Sequence, residues 1–516
     1  MSIEIKKEAD VDLRNGKPLK GCLLLQRQFA HVGHAIARDL AERYGVREFC
    51  GYVYLRSSDE MLKAQRDIAY TTLLLDEDLH ERWKTEPLDP PFLESIEREY
   101  GIPFCWPFLA VDRVLMSNQL VREYPYDKPP YTHEELLRMF QVRARAILDM
   151  LDRERPDFLF CSVLGGVGSY FLYAAAKKRG IRVFIIHPAL LPNRWILSDR
   201  FERFTWVDDL ALNRRAELRQ MPAWEEARTF IDAFRGRPTP YSDRATPTAN
   251  AVSRRKQFKF LNPINAVRSF REFAKSVVIH YTTPYRHDYS YIGPWNYLRD
   301  MIKRKSRNLV GTSDLYDAFT PDEDFAFFPL QYEPEISTLL HAPYHTNQLT
   351  LVKQIAISLP VRLKLYVKEH PQMVEYRPRR FYKELKKIPN VKLIAPSVSS
   401  FAITPRAKII FTTTGTVGWE GVLMRKPVIS FGEWFYNAIP MVKHCAEMET
   451  LPTLVRRELD TYAYDEDAMQ AFVAALIAES AVVDLPRLWT MESDPEKRKE
   501  GVRPITDLLA AKLFRP

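Results

Sequence analysis

Short apolar runs recur along the chain, each followed by a polar turn and then by a stretch of helical period. In the first half they fall at residues 20–26 (KGCLLLQ), 46–55, 158–160 and 182–186, with helical patterns at 31–44, 60–69, 132–153 and 165–178. In the second half they fall at 325–330 (FAFFPL), 362–367, 391–394, 409–411 and 427–431. Helical patterns cover 347–358 and 381–387 there, and helices dominate after residue 449. Runs this short, apolar on both faces, suit parallel strands held between two layers of helix, and their alternation with helices predicts βαβ units. The fold class expected is therefore α/β, with a doubly wound sheet in each half. Residues 71–128 break the rhythm: they are rich in aromatics, prolines and acids (DPPFLESIEREYGIPFCWPF) and read as an insertion of helices and loops.

On open parallel sheets ligands gather beyond the carboxyl ends of the strands. Three polar clusters of the second half sit at such ends. Gln331 and Glu333 follow the run at 325–330, Lys368, His370 and Pro371 follow that at 362–367, and Thr412, Thr413, Thr414, Gly415 and Thr416 follow that at 409–411. A hydroxyl-rich turn at a helix start offers unpaired amides and the positive end of a dipole to a phosphate. Lys368 and His370 add donors for phosphate oxygens, Pro371 fixes the chain direction just past the imidazole, and Glu420, one turn into the helix, suits the two hydroxyls of a ribose. An ordinary strand-to-helix turn with a threonine cap explains the same residues singly; three clusters in register favour a shared nucleotide-sugar site. In the first half the candidates for a catalytic base are His31, His34, His187 and Asp199, with Asp199 preferred because it follows a strand end in the polar turn at 197–200. The run Gly165-Gly166-Val167-Gly168 does not fit the dinucleotide fingerprint and serves either a close chain crossing or an approach to a sugar or phosphate.

Composition narrows the classes. A chain of 516 residues, 46% hydrophobic and 27% charged, suggests a globular protein of two domains. No apolar run approaches the roughly 18–20 residues that cross a bilayer, and the start MSIEIKKEADVDLRNGK has no signal-peptide core, so a cytoplasmic location is expected. The five cysteines are scattered without CxxC spacing, which argues against a disulfide framework or a zinc site. The net charge of +9 is concentrated, with 13 Lys/Arg against three acids between residues 251 and 310. That stretch reads first as helices bridging two domains, next as a peripheral contact with an anionic membrane, and last as a nucleic-acid surface, since no nucleic-acid module frames it. Asp76-Glu77-Asp78, Asp322-Glu323-Asp324 and Asp465-Glu466-Asp467 share the Asp-x-Asp spelling of a metal site, but a pattern met three times arises cheaply; all three read as surface acids, and no metal is expected.

The segments PLQYEPEISTLL, LYVKEHP and TTTGTVGWEGVLMRKPVISFG resemble the capsule polysaccharide biosynthesis proteins, which are similar to bacterial capsule Kdo transferases of GT-B fold; the likeness runs over residues 325–436. The resemblance implies two Rossmann-like domains facing across a cleft: an N-terminal acceptor and catalytic domain (1–235), basic bridging helices (236–310), and a C-terminal nucleotide-sugar domain with a helical tail (311–516). It implies that His370-Pro371 matches the motif that contacts a CMP-linked donor and Thr412 to Thr414 the phosphate motif. The acidic motif of the sialyltransferases is missing, since Asp208-Asp209 is followed by Leu210. The expected activity is metal-independent, cofactor-free transfer from a nucleotide sugar to a glycan or lipid-linked acceptor in surface polysaccharide synthesis. A sugar-nucleotide epimerase of the same fold, or a non-catalytic capsule assembly or export protein, are the alternatives.

Overall fold

Cys22, Leu23, Leu24 and Leu25 are fully buried in the first strand, β1 (Lys20–Leu25), as a strand covered on both faces requires. The computed structural model describes residues 19–100, 104–117, 129–241, 258, 262–374 and 376–514. The amino-terminal 18 residues, parts of the expected insertion (101–103 and 118–128) and part of the basic bridging segment (242–257 and 259–261) lie outside the described residues. The chain divides into two units, one from residues within 1–109, 132–206 and 476–516, the other from residues within 110–131 and 207–475.

In the first unit β1 is joined by β2 (Glu48–Val53), β3 (Ala69–Leu75), β4 (Phe158–Cys161) and β5 (Arg182–Pro188), all parallel, and by β6 (Arg194–Ser198), antiparallel to β5. The spatial order β6-β5-β4-β1-β2-β3 reverses direction between β1 and β4, and Ser162 Oγ donates to Gln26 Oε1 at 3.3 Å across that point. β3 straddles the start of the expected insertion. It is an edge strand whose Tyr70, Thr71 and Thr72 stay half-exposed, so no continuous apolar run announces it. The acids just after it differ from expectation too. Asp76 and Glu77 are each only 1% exposed, whereas Asp78 is exposed and pairs with Arg56 at 2.9 Å. β3 runs straight into a helix, Asp76–Arg82, whose inner face meets the long helix His133–Glu154; there Asp76 Oδ1 accepts from Arg143 Nε at 2.7 Å and from the Tyr52 hydroxyl. The other two triplets are at the surface as expected.

The second unit carries a fully parallel sheet of β7 (Phe325–Pro329), β8 (Lys364–Lys368), β9 (Val391–Ile394), β10 (Ile409–Thr412), β11 (Val428–Ser430) and β12 (Val442–His444). Its order, β9-β8-β7-β10-β11-β12, is the doubly wound 3-2-1-4-5-6, with the reversal between β7 and β10. The expected helical tail does not stay with this sheet. β13 (Ser480–Val482) pairs antiparallel with β6, and on the helix Pro495–Leu513 the side chains of Val502, Ile505, Leu509 and Leu513 share a core with Val32, Ile36 and Leu40 of the helix Phe29–Tyr44. Each such burial is worth about 1.5–3 kcal/mol, enough to commit the last forty or so residues to the first unit and not to the second.

Candidate functional site

The reversal between β7 and β10 opens a crevice beyond their carboxyl ends, and the chain puts polar residues on both sides of it. β10 ends in Thr412, whose Oγ1 accepts from Gly415 N at 2.9 Å and so closes the turn into the helix Thr416–Leu423. Thr414 Oγ1 donates to Ser337 O at 2.6 Å, and Tyr436 OH donates to Gly415 O at 3.1 Å. The turn is thus held from three sides. Gly418 N is taken by Gly415 O, so the amides of Thr416 and Val417 are left at the helix N-terminus, where they point along the dipole into the crevice. Thr413 Oγ1 is buried with no hydrogen-bond partner among the described residues. At the far end of the helix, Arg235 Nε donates to Leu423 O at 2.8 Å, a cation on the negative end of the dipole.

Gln331 follows β7 and lies over the turn. A methyl group built on Gly415 would come within 2.8 Å of Gln331 Oε1 and 3.0 Å of its Nε2, so this approach needs glycine. Gln348 fixes Gln331 by its backbone, accepting from Gln331 N at 2.6 Å.

Beyond β8 come Lys368, Glu369 and His370, and they are tied to β7 by a residue without any signal in the sequence, Arg377. Its guanidinium donates to Gln331 O at 2.6 Å, to Glu333 Oε2 at 3.1 Å and to Glu369 Oε1, with all three side chains inaccessible to solvent. Glu369 also accepts from Tyr382 OH at 2.8 Å and from His370 N at 2.6 Å. Glu333, counted among the ligand-facing residues from sequence, is instead 2% exposed and turned into this network; burial raises its pKa against the pull of Arg377. A carboxylate four residues past the end of β7 thus faces protein.

His370 caps the short turn Pro371–Met373: Gln372 N donates to its Nδ1 at 3.2 Å, and its ring leans on Tyr332 with centroids 5.6 Å apart. Burial, Lys368 and Arg377 push its pKa down to about 3. A neutral ring whose Nδ1 accepts carries its proton on Nε2, so His370 presents a fixed donor at any working pH. Lys368, 4% exposed, is lowered by burial to about 8, with Glu369 and Glu420 opposing. Glu420, 8% exposed on the helix after the threonine turn, is raised by burial to about 7, with Lys368 opposing. The two feel each other's charge without a direct ion pair. Tyr241, another residue without a sequence signal, is half-buried close enough to Glu335 and Glu420 for both to raise its hydroxyl pKa, after burial. A cavity of about 420 Å³ adjoins the site beyond the end of β9, lined among others by Arg307, Tyr316, Arg377, Arg379 and Ser397.

Of the sequence candidates, the structure therefore brings Gln331, Lys368, His370, Pro371, Thr412 to Thr416 and Glu420 to one sheet edge. In the first unit, His31 lies in the first turn of the helix after β1, and His187 near the end of β5, with its ring 5.4 Å from that of Phe204. Asp199 does not join them. It follows an antiparallel strand, in which Ser198 pairs with Ile185, so it leaves the sheet toward the amino ends of β4 and β5. Its carboxylate accepts from Lys177 Nζ at 2.8 Å and from Thr205 Oγ1 at 2.5 Å, and although burial raises its pKa these bonds bring it below the ordinary range. A carboxylate so placed is a surface anchor, and the preference given it from sequence is corrected. Among the described residues no cluster of three or more His, Cys, Asp or Glu side chains is arranged to hold a metal ion.

Residues 226–479 match the family model for capsule polysaccharide biosynthesis proteins. No curated protein sequence matches the chain. Among solved structures, a β-Kdo 2,7 transferase, KpsC of Thermosulfurimonas dismutans, is 14% identical over 71% of this chain and 89% of its own, with a TM-score of 0.34. A β-Kdo 2,4 transferase KpsC from the same organism is 13% identical over 64% and 83%, with a TM-score of 0.38. The UDP-GlcNAc 2-epimerase of Neisseria meningitidis, bound to UDP-GlcNAc, is 11% identical over 89% and 99%, with a TM-score of 0.27.

Proposed function

We propose that this chain, whose residues 226–479 carry the capsule polysaccharide biosynthesis match, is a glycosyltransferase that takes its donor as a nucleotide sugar at the β7/β10 crevice. One observation carries the reading: Lys368 and Glu420, both buried and oppositely charged, face the crevice unbonded to each other beside a turn with spare helix amides. Two buried opposite charges that stop short of pairing leave room for a ligand with both an anion and hydroxyls. The diphosphate or monophosphate of the donor takes the amides of Thr416 and Val417, the Thr413 hydroxyl, Lys368 and the His370 Nε2 proton. The Glu420 carboxylate accepts from the ribose diol.

In that arrangement the developing negative charge on the leaving phosphate is met by donors already in place, so little reorganisation opposes bond cleavage. The acceptor hydroxyl needs a base that is unprotonated at neutral pH. His31, kept below its ordinary pKa by burial and Arg498, meets that requirement, and His187 at the end of β5 is the second candidate. The acceptor is a glycan or a lipid-linked glycan, and the reaction belongs to the building of surface polysaccharide. Thermal shifts with a panel of CMP-, UDP-, GDP- and dTDP-sugars, followed by product analysis, test this. Transfer to a glycan acceptor supports it; an epimerised free donor, or no nucleotide binding at all, sinks it.

The two pKa values also set a pH profile. Glu420 accepts hydrogen bonds fully only when ionised, so kcat/KM for the donor rises as pH passes about 7; Lys368 holds phosphate only when protonated, so it falls again above about 8. Glu420→Gln is expected to lower the rate and abolish the rising limb. A rising limb unchanged in that variant removes Glu420 from the donor site.

A further inference from the structure

Beyond the donor site, the geometry points to a second contact: we propose that the helical hairpin of residues 263–310 docks the second unit on an anionic lipid bilayer surface.

A helix of a globular protein normally buries an apolar stripe. The 20-residue helix Pro263–Thr282 has no buried residue at all. It packs only lightly on the helix Pro294–Val310, chiefly where Phe273 meets Trp295 edge-on with ring centroids 5.7 Å apart. Its remaining apolar side chains face outward, Ile264 at 73%, Val267 at 69% and Phe270 at 73% exposure. Of the 21 large apolar side chains exposed among the described residues, 12 fall within these 48 positions, so the patch is a local feature and not the ordinary scatter of a surface.

The pattern on each helix is that of a bilayer surface. At 3.6 residues per turn, Ile264, Val267, Phe270, Val278 and Tyr281 fall on one stripe of the first helix, and Arg268, Arg271 and Lys275 run along its edge. On the second helix Trp295, Ile302 and Leu309 make the stripe, and Arg299 and Lys303 flank it. Between residues 263 and 310 there are nine Lys/Arg against three acids. Asp300 is buried and paired with Arg304 at 2.7 Å, and Glu272 accepts from Lys275 at 3.3 Å, so the surface excess is cationic. Apolar side chains in a stripe, cations at its rim, and exposed Trp295 and Tyr297 are the composition that lies in the headgroup layer. No described helix is long and apolar enough to cross a membrane, so the contact is one of lying on the surface. The charge excess decides between occupants: a second copy of the same hairpin would set nine cations against nine, whereas anionic headgroups neutralise them.

Co-sedimentation of the full chain with phosphatidylcholine vesicles, and with vesicles enriched in phosphatidylglycerol, tests this. Binding is expected only to the anionic vesicles and is expected to weaken as salt is raised. Reversing three rim charges together (Arg268→Glu, Arg271→Glu, Lys275→Glu) is expected to lower partitioning about a hundredfold. Val267→Ser with Phe270→Ser is expected to lower it by about tenfold or more. Both variants should keep the wild-type circular dichroism and melting temperature, because these side chains support no core. Equal binding to neutral and anionic vesicles, no vesicle binding at all, or an apolar-face variant that changes only the oligomeric state in solution overturns the proposal.

Discussion

Arg377→Met is expected to destabilise the second unit by about 3–5 kcal/mol, the loss that follows when one partner of a buried ion pair is removed and its carboxylates are left without compensation. The expectation rests on burial. Arg377, Glu333 and Glu369 are closed off from solvent, and the guanidinium also holds the Gln331 carbonyl at 2.6 Å, so a single side chain ties the ends of β7 and β8 together. Urea denaturation followed by tryptophan fluorescence measures the loss. Adding Glu333→Gln and Glu369→Gln to Arg377→Met should restore part of it, because neutral amides cost less to bury than unpaired carboxylates. A single variant within about 1 kcal/mol of the wild type would show that the three groups are not desolvated together. Because the network shapes the strand ends that carry Gln331 and His370, nucleotide affinity should fall along with stability.

Glu420→Ala is expected to weaken donor binding by about tenfold to a hundredfold, the worth of one or two hydrogen bonds to a charged acceptor in a buried site. It should leave the melting temperature of the free protein unchanged or higher. The sign follows from linkage: the folded pKa of about 7 lies above the ordinary glutamate value, so the ionised group opposes folding as pH rises from the ordinary glutamate range through 7. The combination is diagnostic. A ligand residue loses the thermal shift given by the nucleotide while keeping or gaining intrinsic stability, whereas a purely structural residue loses both. His370→Ala should reproduce the loss of shift, since its Nε2 donor disappears while only the Gln372 cap is lost from the fold.

The elements of the strand-end cluster differ in how far their own sequence neighbourhoods mark them. The threonine turn, His370 and Glu420 were legible because strand, turn and helix start are local events: a short continuous apolar run, hydroxyls where amides need partners, and a helix start lie close together in the chain. That the three strand ends would meet was also legible, since parallel strands joined by helices must present their carboxyl ends to one edge. The chain by itself thus determined the two α/β sheets, the edge at which the strand ends of the second one gather their polar residues, and most of the side chains on that edge.

Only the tertiary structure decided the rest, and the reason is that each remaining feature depends on a partner distant in sequence. Arg377 gains its meaning from Glu333 and Gln331, more than forty residues away, and nothing in its neighbourhood marks it. Asp199 looked like a strand-end carboxylate, but β6 pairs antiparallel to β5, and that pairing alone turns the residue to the opposite edge. Asp76 became a buried anchor because Arg143, 67 residues on, lies across from it. The last helix went to the first unit because its apolar stripe is buried chiefly against the helix Phe29–Tyr44, with β13 and β6 beside it. The pKa values of about 7 for Glu420 and about 8 for Lys368 come from burial, which no local pattern of residues specifies.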